Sequence, residues 1–346
     1  MDFKINYLLL LMALPVTAIL LILMRQIASQ LKLMDVPEQR KIHSHPIPLV
    51  GGIVLFIVSA IILLQLDDVD LFSKVLLIST SFVVLVGLLD DIFQLSAFWR
   101  FLVQILACLG VIYFSGVKLN TFGELLYPGW DLQLVYLAIP ITVFGVVGVI
   151  NALNMSDGID GLAALTFFIP TLTLAMISEV SGLSVWLLYV LIALLVFVFF
   201  NLSEKYKIFL GDSGSLFLGF VLGWLLVVYS QLNFYQGQSI YPVTALYLVG
   251  LPIYDTIYVM LKRISNGKSP FKPDKTHLHH LFISKGYSQS QALLFILLLQ
   301  IMMIAIGLLF LRFRVAEYIQ FYTFILMSVV YYKTMSYQWV KRNKEL

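Results

Sequence analysis

The chain has 346 residues, of which 60% are hydrophobic and 12% charged, with a formal net charge of +3. Soluble domains carry roughly twice that share of charged residues, so a soluble domain with a single anchor is excluded. One cysteine, Cys108, excludes an intramolecular disulfide.

In chain order, apolar runs long enough for a bilayer core of about 30 Å recur from end to end. They predict eleven transmembrane helices over residues 7–29, 50–66, 72–89, 99–115, 132–150, 159–177, 184–201, 214–230, 240–261, 290–311 and 316–336. The fold class expected is therefore all-α and polytopic, one transmembrane domain over residues 1–346. The first run follows six residues and shows no cleavage motif, so it reads as a retained span. Alternate loops fall on two sides. All but Lys4, Lys74, Lys118, Arg312 and Arg314 of the 22 lysines and arginines lie on or nearest one side. The positive-inside rule makes that side cytoplasmic, with the N-terminus outside and the C-terminus inside.

All five histidines (His43, His45, His277, His279 and His280) fall on that same side. So do the acids packed against span ends: Asp90, Asp91, Asp157, Asp160, Asp212 and Asp255. Ionisable groups at a membrane edge are costly and point to function. The loops expected to meet there are 30–49, 90–100, 151–161, 202–215 and 262–289.

Asp90-Asp91 ends the third span, at a helix C-terminus where the macrodipole disfavours negative charge. A solvated turn would explain one acid; the pair points to a metal or a general base, with Arg100 ten residues on able to return to the same place. Asn151, Asn154, Asp157 and Asp160 recur every three residues, interrupted by Gly158 and Gly161. Hard oxygen donors of this kind suit Mg²⁺, which keeps phosphate or water in its remaining positions. Amide glue between helices is the plainer alternative. Gly211-Asp212-Ser213-Gly214-Ser215 opens the eighth span, where amides at a helix N-terminus form an anion cradle or Asp212 and Ser213 serve as simple caps.

His277-Leu278-His279-His280, preceded by Lys272, Asp274 and Lys275, could hold zinc by spacing alone. With no cysteine nearby, phosphate donation by imidazole is the better reading. Arg40, Lys41, His43 and His45 add further donors. Acids for a divalent cation, bases for phosphates and an apolar surround together describe metal-assisted phosphoryl transfer at a membrane face, with a lipid as one substrate. A transporter would place its polar residues near span centres in matching halves, and the acids here cluster at one face.

The motifs Pro48-Leu-Val-Gly-Gly52, Gly87-Leu-Leu-Asp-Asp91, Asn151–Gly161, Gly211–Ser215, Pro242–Leu246 and Ser269–His280 stand in an order that resembles the polyprenyl-phosphate N-acetylhexosamine-1-phosphate transferases. The resemblance covers about residues 7–340. It implies Mg²⁺ (or Mn²⁺) as cofactor and a bacterial inner-membrane enzyme whose active site faces the cytoplasm. The reaction implied is UDP-GlcNAc plus undecaprenyl phosphate giving GlcNAc-diphospho-undecaprenol and UMP, the first membrane step of O-antigen or enterobacterial common antigen synthesis. GalNAc or MurNAc-pentapeptide donors share the same motifs.

By position, the resemblance gives the metal to Asp212 and Asn154, and the catalytic roles to Asp90, Asp91, Asp157 and His277. It gives Phe209 and Asp160 to the uracil, Arg100 to the diphosphate, and His279, His280 and His43 to the remaining substrate contacts. Its partners would be UDP-GlcNAc, undecaprenyl phosphate and the bilayer, without nucleic acid; a homodimer is compatible with the family. Gln94 departs from the pattern, since close relatives carry an acid there.

Overall fold

Helices that are apolar all round cannot choose partners by polarity in lipid, so close packing decides how they meet. A computed structural model describes residues 7–37, 45–66, 69–177, 182–231, 240–270 and 275–345. Its helices in order are α1 (Tyr7–Ile27), α2 (Gly51–Gln65), α3 (Leu71–Phe93), α4 (Ala97–Ser115), α5 (Ala138–Ser156), α6 (Leu162–Ile177) and α7 (Gly182–Leu202). Then follow α8 (Gly211–Gln231), α9 (Pro242–Leu248), α10 (Gly250–Ser265), α11 (Leu278–Ser284), α12 (Gln289–Arg312) and α13 (Glu317–Glu345).

The bundle is built around α8. Every residue of it except Asp212 and Val228 is buried. It packs against α5, α3, α2, α6 and α9. Glycines explain the fit. A Cβ at Gly219 would lie 2.7 Å from the Ile150 Cα, and one at Gly223 would lie 3.0 Å from the Val146 side chain, so this small-xxx-small pair lets α5 and α8 touch backbone to backbone. At the other end of α8, a Cβ on Gly87 of α3 would come within 2.5 Å of the Ser213 Cα, and one on Gly52 of α2 would overlap the Gly214 backbone. A second apolar core joins α9 to α13, where Tyr247 and Tyr254 donate hydroxyls to the Gln320 and Phe324 carbonyls, both at 2.6 Å. Cys108 is a buried, helix-facing thiol.

Each predicted span corresponds to a helix or a helix pair, with differences. Among the described residues, six helices are long and apolar enough to cross a membrane: α3, α4, α5 with its preceding turn, α7, α8 and α12. The predicted ninth span is broken at Val249, where α9 and α10 meet at 75°; counted as one it makes a seventh. The described apolar stretches of α1, α2 and α6 run to 16, 15 and 16 residues, roughly 22–24 Å at 1.5 Å per residue. α13 is long but too polar to be counted among the six.

Nor is the chain helical throughout. Two short strands, β1 (Met34–Asp35) and β2 (Ile47–Pro48), pair antiparallel, and Leu49 bridges in parallel to Phe209. Phe209 N–H donates to the Pro48 carbonyl at 2.8 Å, and Gly51 and Gly52 N–H donate to the Phe209 and Leu210 carbonyls at 3.0 and 2.8 Å. This ribbon ties the approach to α2 to the approach to α8.

Gly219→Leu is expected to push α5 off α8 and cost about 1–3 kcal/mol, the usual range for overpacking a tight core. Gly148→Ala is the control, because a Cβ there meets nothing within 4 Å. Melting in detergent reads both; equal midpoints for Gly219→Leu and the parent chain would refute the close crossing.

Candidate active site

At the N-terminus of α8 the chain solves two electrostatic problems at once. Asp91 sits in the last turn of α3, where its charge opposes the dipole, and α8 begins with amides that lack helical partners. The Asp91 carboxylate accepts from the Asp212 N–H at 2.7 Å and from the Ser213 N–H at 3.1 Å. Gly211 permits this with φ of +76°, and a Cβ there would lie 2.7 Å from an Asp91 oxygen. The cradle expected for a substrate phosphate therefore holds a carboxylate of the protein itself. Asp91, expected as a catalytic group, has both oxygens engaged in placing Asp212.

Around this junction lies a cavity of about 500 Å³. Asp90, Asp91, Asp157 and Asp212 all border it, with Asp160, Lys207, Phe209 and His280 on its other walls. Five of the loops expected to meet do so. Asp90, only 6% exposed, accepts from Arg100 at 2.8 Å, and the same guanidinium nitrogen stands 4.0 Å from an Asp212 oxygen. Asp212 is steered from the far side by the Asn154 amide, which donates to its Oδ1 at 2.6 Å and to the Ser215 hydroxyl at 2.8 Å. The Asn154 amide nitrogen is thus engaged, which leaves its carbonyl oxygen as the atom able to reach a cation. Asn151 donates to Gln104 at 2.9 Å, away from the cavity, as an inter-helix amide contact.

Asp160 borders the same cavity with a cation of its own. Its carboxylate pairs with Lys207 at 2.6 Å, and the Lys207 ammonium stands 5.8 Å from the centre of the Phe209 ring. Phe209 thus presents an aromatic wall beside a fixed cation. The turn carrying Asp160 is held by Asn201, which accepts from the Gly161 N–H at 2.6 Å and donates to the Ile208 carbonyl at 2.8 Å.

The histidines divide. His280 lines the cavity, whereas His277 and His279 lie behind it, 6% and 3% exposed. Burial and the neighbouring His280 and His277 push the His279 imidazole down to about 3, so it is neutral and cannot act as a cationic phosphate donor. Its ring fills the space that a side chain at Gly158 would need. His43 lies outside the described residues. Among residues the sequence did not single out, Asp35, Asn201 and Gln289 border the cavity. Their types carry no motif, and only the ribbon, the Gly161 turn and the start of α12 bring them there. Gln94 also borders it, in a left-handed conformation (φ 51°) that ends α3.

Six carboxylates border the cavity, Asp35, Asp90, Asp91, Asp157, Asp160 and Asp212, and they exceed the nearby positive charge of Lys207 and Arg100. Asp157 registers this: enclosure by the surrounding protein, then the charges of Asp212, Asp91 and Asp160, raise its carboxyl from the usual range to about 7 although its side chain opens onto the cavity. Such hard oxygen donors fit a divalent cation. No three described His, Cys, Asp or Glu side chains stand at ligand spacing, so a cation here would take one or two carboxylates and complete its shell from phosphate or water, the habit of Mg²⁺.

Comparison with known proteins gives the family. Residues 73–230 match the model for glycosyl transferase family 4. The chain is 33% identical to the undecaprenyl-phosphate alpha-N-acetylglucosaminyl 1-phosphate transferase of Haemophilus influenzae, over 94% of each chain. It is 35% identical to the protein of that name from Pasteurella multocida, over 92% of this chain and 90% of that one. For the Escherichia coli K12 protein of that name the identity is 32%, over 91% and 85% respectively.

The fold favours the neutral form of Asp157. Its contribution to stability is therefore complete below about pH 4 and lost as pH rises through about 7. Asp157→Asn should accordingly gain on the parent chain in cation-free thermal melts as pH is raised from 5 to 8, and added Mg²⁺ should narrow the gap. Parallel melting curves across that interval would show that Asp157 does not feel its neighbours.

Proposed function

The chain belongs to glycosyl transferase family 4, the polyprenyl-phosphate N-acetylhexosamine-1-phosphate transferases, and from that premise we propose that it transfers GlcNAc-1-phosphate from UDP-GlcNAc to undecaprenyl phosphate. The observation that carries this reading is the convergence of Asp90, Asp91, Asp157 and Asp212 on one cavity whose other walls bear Phe209, Lys207 and His280. Acids for a cation, an aromatic face for a base and cations for phosphate are what a nucleotide-sugar diphosphate requires.

In this reaction a non-bridging oxygen of the lipid phosphate attacks the phosphorus that carries the sugar. The P–O bond to the uridylyl phosphate breaks, and UMP leaves with the electron pair. The acceptor phosphate is already ionised near neutral pH, so direct attack needs no covalent enzyme intermediate. Asp212 and Asp157 would hold the Mg²⁺, which when bound supplies Lewis-acid neutralisation of the diphosphate and the departing phosphate. Asn154 and Asp91 keep Asp212 in register from opposite sides. Arg100, held between Asp90 and Asp212, is poised to donate to a diphosphate that enters between them. Phe209 offers its face to the uracil, and Asp160 acts indirectly, by fixing Lys207 beside that ring. His280 is the imidazole within reach of the sugar-phosphate end.

The chain is a multi-pass membrane protein, and we read all eleven predicted segments as crossing it, the short ones by local thinning. The N-terminus would be outside and the C-terminus inside, with the cavity at the cytoplasmic face of a bacterial inner membrane. The product would then enter cell-envelope polysaccharide synthesis of the O-antigen or enterobacterial common antigen kind.

Purified protein offered radiolabelled UDP-GlcNAc, UDP-GalNAc or UDP-MurNAc-pentapeptide with undecaprenyl phosphate should label lipid from the first donor alone, and EDTA should stop it. Labelling from another donor moves the assignment to that sugar, and EDTA-resistant transfer removes the cation. Asp212→Asn should lower transfer by roughly 10²–10³-fold without lowering the melting point, the loss typical of removing one charge-stabilising group. Asp91→Asn should lose activity and also about 1 kcal/mol of stability, because it weakens a helix cap.

A further inference from the structure

Behind the cavity, and without bordering it, a buried acid organises the histidine segment. Asp255 lies in α10, 7% exposed, and makes three hydrogen bonds. Its Oδ2 pairs with His277 Nδ1 at 2.8 Å, and its Oδ1 accepts from the Leu278 N–H at 3.0 Å and from the Tyr331 hydroxyl at 2.8 Å. His277 is the residue at which α11 begins, so Asp255 holds both the side chain before the helix and the first amide inside it. Tyr331 brings the third bond from α13. One carboxylate thus locks α10, α11 and α13 together.

From that lock two paths lead to the cavity. One turn into α11, His280 stands on the cavity wall. The rings of His277 and His279 stack at 5.7 Å and 9°, and His279 leans on His280 at 4.2 Å. His279 also packs its Nε2 edge against Gly158, next to Asp157, and that Nε2 has no hydrogen-bond partner among the described residues. Such a ring transmits position by shape, since it offers the Asp157 turn no bond. Neither Asp255 nor Tyr331 borders the cavity.

We propose that Asp255 and Tyr331 are positioning residues for the transferase, setting His280 and the Asp157 turn through the stacked imidazoles. The proposal rests on the reaction read above. Residues that orient a functional histidine typically cost about 10–100-fold when altered. Asp255→Asn, which keeps the volume, is expected to lower kcat/KM for the nucleotide sugar by about that factor. KM for undecaprenyl phosphate should stay within about two-fold, because the lock abuts the histidine and Asp157 walls. Tyr331→Phe, which keeps the ring and removes one donor, should show a smaller loss of the same kind.

Hydrogen–deuterium exchange supplies a reading that needs no turnover. Asp255→Asn should speed exchange at Leu278–Ser284 and at the Asp157 turn while leaving α8 protected. Unchanged exchange at those segments, or losses shared equally between donor and acceptor, would overturn the proposal. Should the unaltered protein transfer no sugar from any UDP-amino donor, the reaction reading fails by itself, and exchange still decides whether Asp255 holds these segments.

Discussion

One carboxylate, Asp91, meets the first amides of α8, and the cavity takes its form from that contact. The bond needs α3 and α8 to approach within the width of a glycine, which Gly87 and Gly211 allow. Once made, it cancels an unfavourable charge at one helix end against unsatisfied donors at another. It also fixes the backbone of Asp212, the acid that Asn154 then turns toward Arg100. The two amide bonds offset only part of the cost, since burial and then the neighbouring Asp212 still push the Asp91 carboxyl up to about 7.

The remaining acids are left in tension. Asp90 has Arg100, but Asp157 opens onto the cavity with three carboxylates acting on it. Placing these charges together costs folding free energy in the empty protein. That cost is returned when positive charge arrives, so the arrangement favours an occupied over an empty state. Stability sacrificed at a site in this way is the usual mark of preorganisation for charge that develops during a reaction. The apolar wall formed with Phe209 adds a desolvated flank on which the same charges act more strongly.

Much of this was legible in the chain. The length of the apolar runs located every long helix, because a bilayer leaves few alternatives to a helix with satisfied backbone. The clustering of acids and imidazoles on one predicted side brought the right loops to one place. What was not legible depends on contacts between distant segments. The glycines of α8 were read as a phosphate cradle because a helix N-terminus attracts any anion, and the sequence cannot say that Asp91 arrives first. His277 and His279 carry the chemistry of phosphate donors, yet both are buried, His279 against Gly158, and the sequence does not show that burial. The break at Val249 has no proline at the bend itself, and the length of the apolar run conceals it. Asp35 and Gln289 sit in unremarkable surroundings until pairing brings them to the cavity.

The ribbon through Met34, Ile47 and Phe209 has a consequence for biogenesis. Its partners are far apart along the chain, and the ribosome delivers them in order, α1 and α2 long before the approach to α8. The Phe209 end of the cavity therefore cannot close until seven helices have been synthesised. Until then the stretch around Leu49 waits with its edge uncovered, and nascent chains arrested before Phe209 would present that edge to chaperones and proteases.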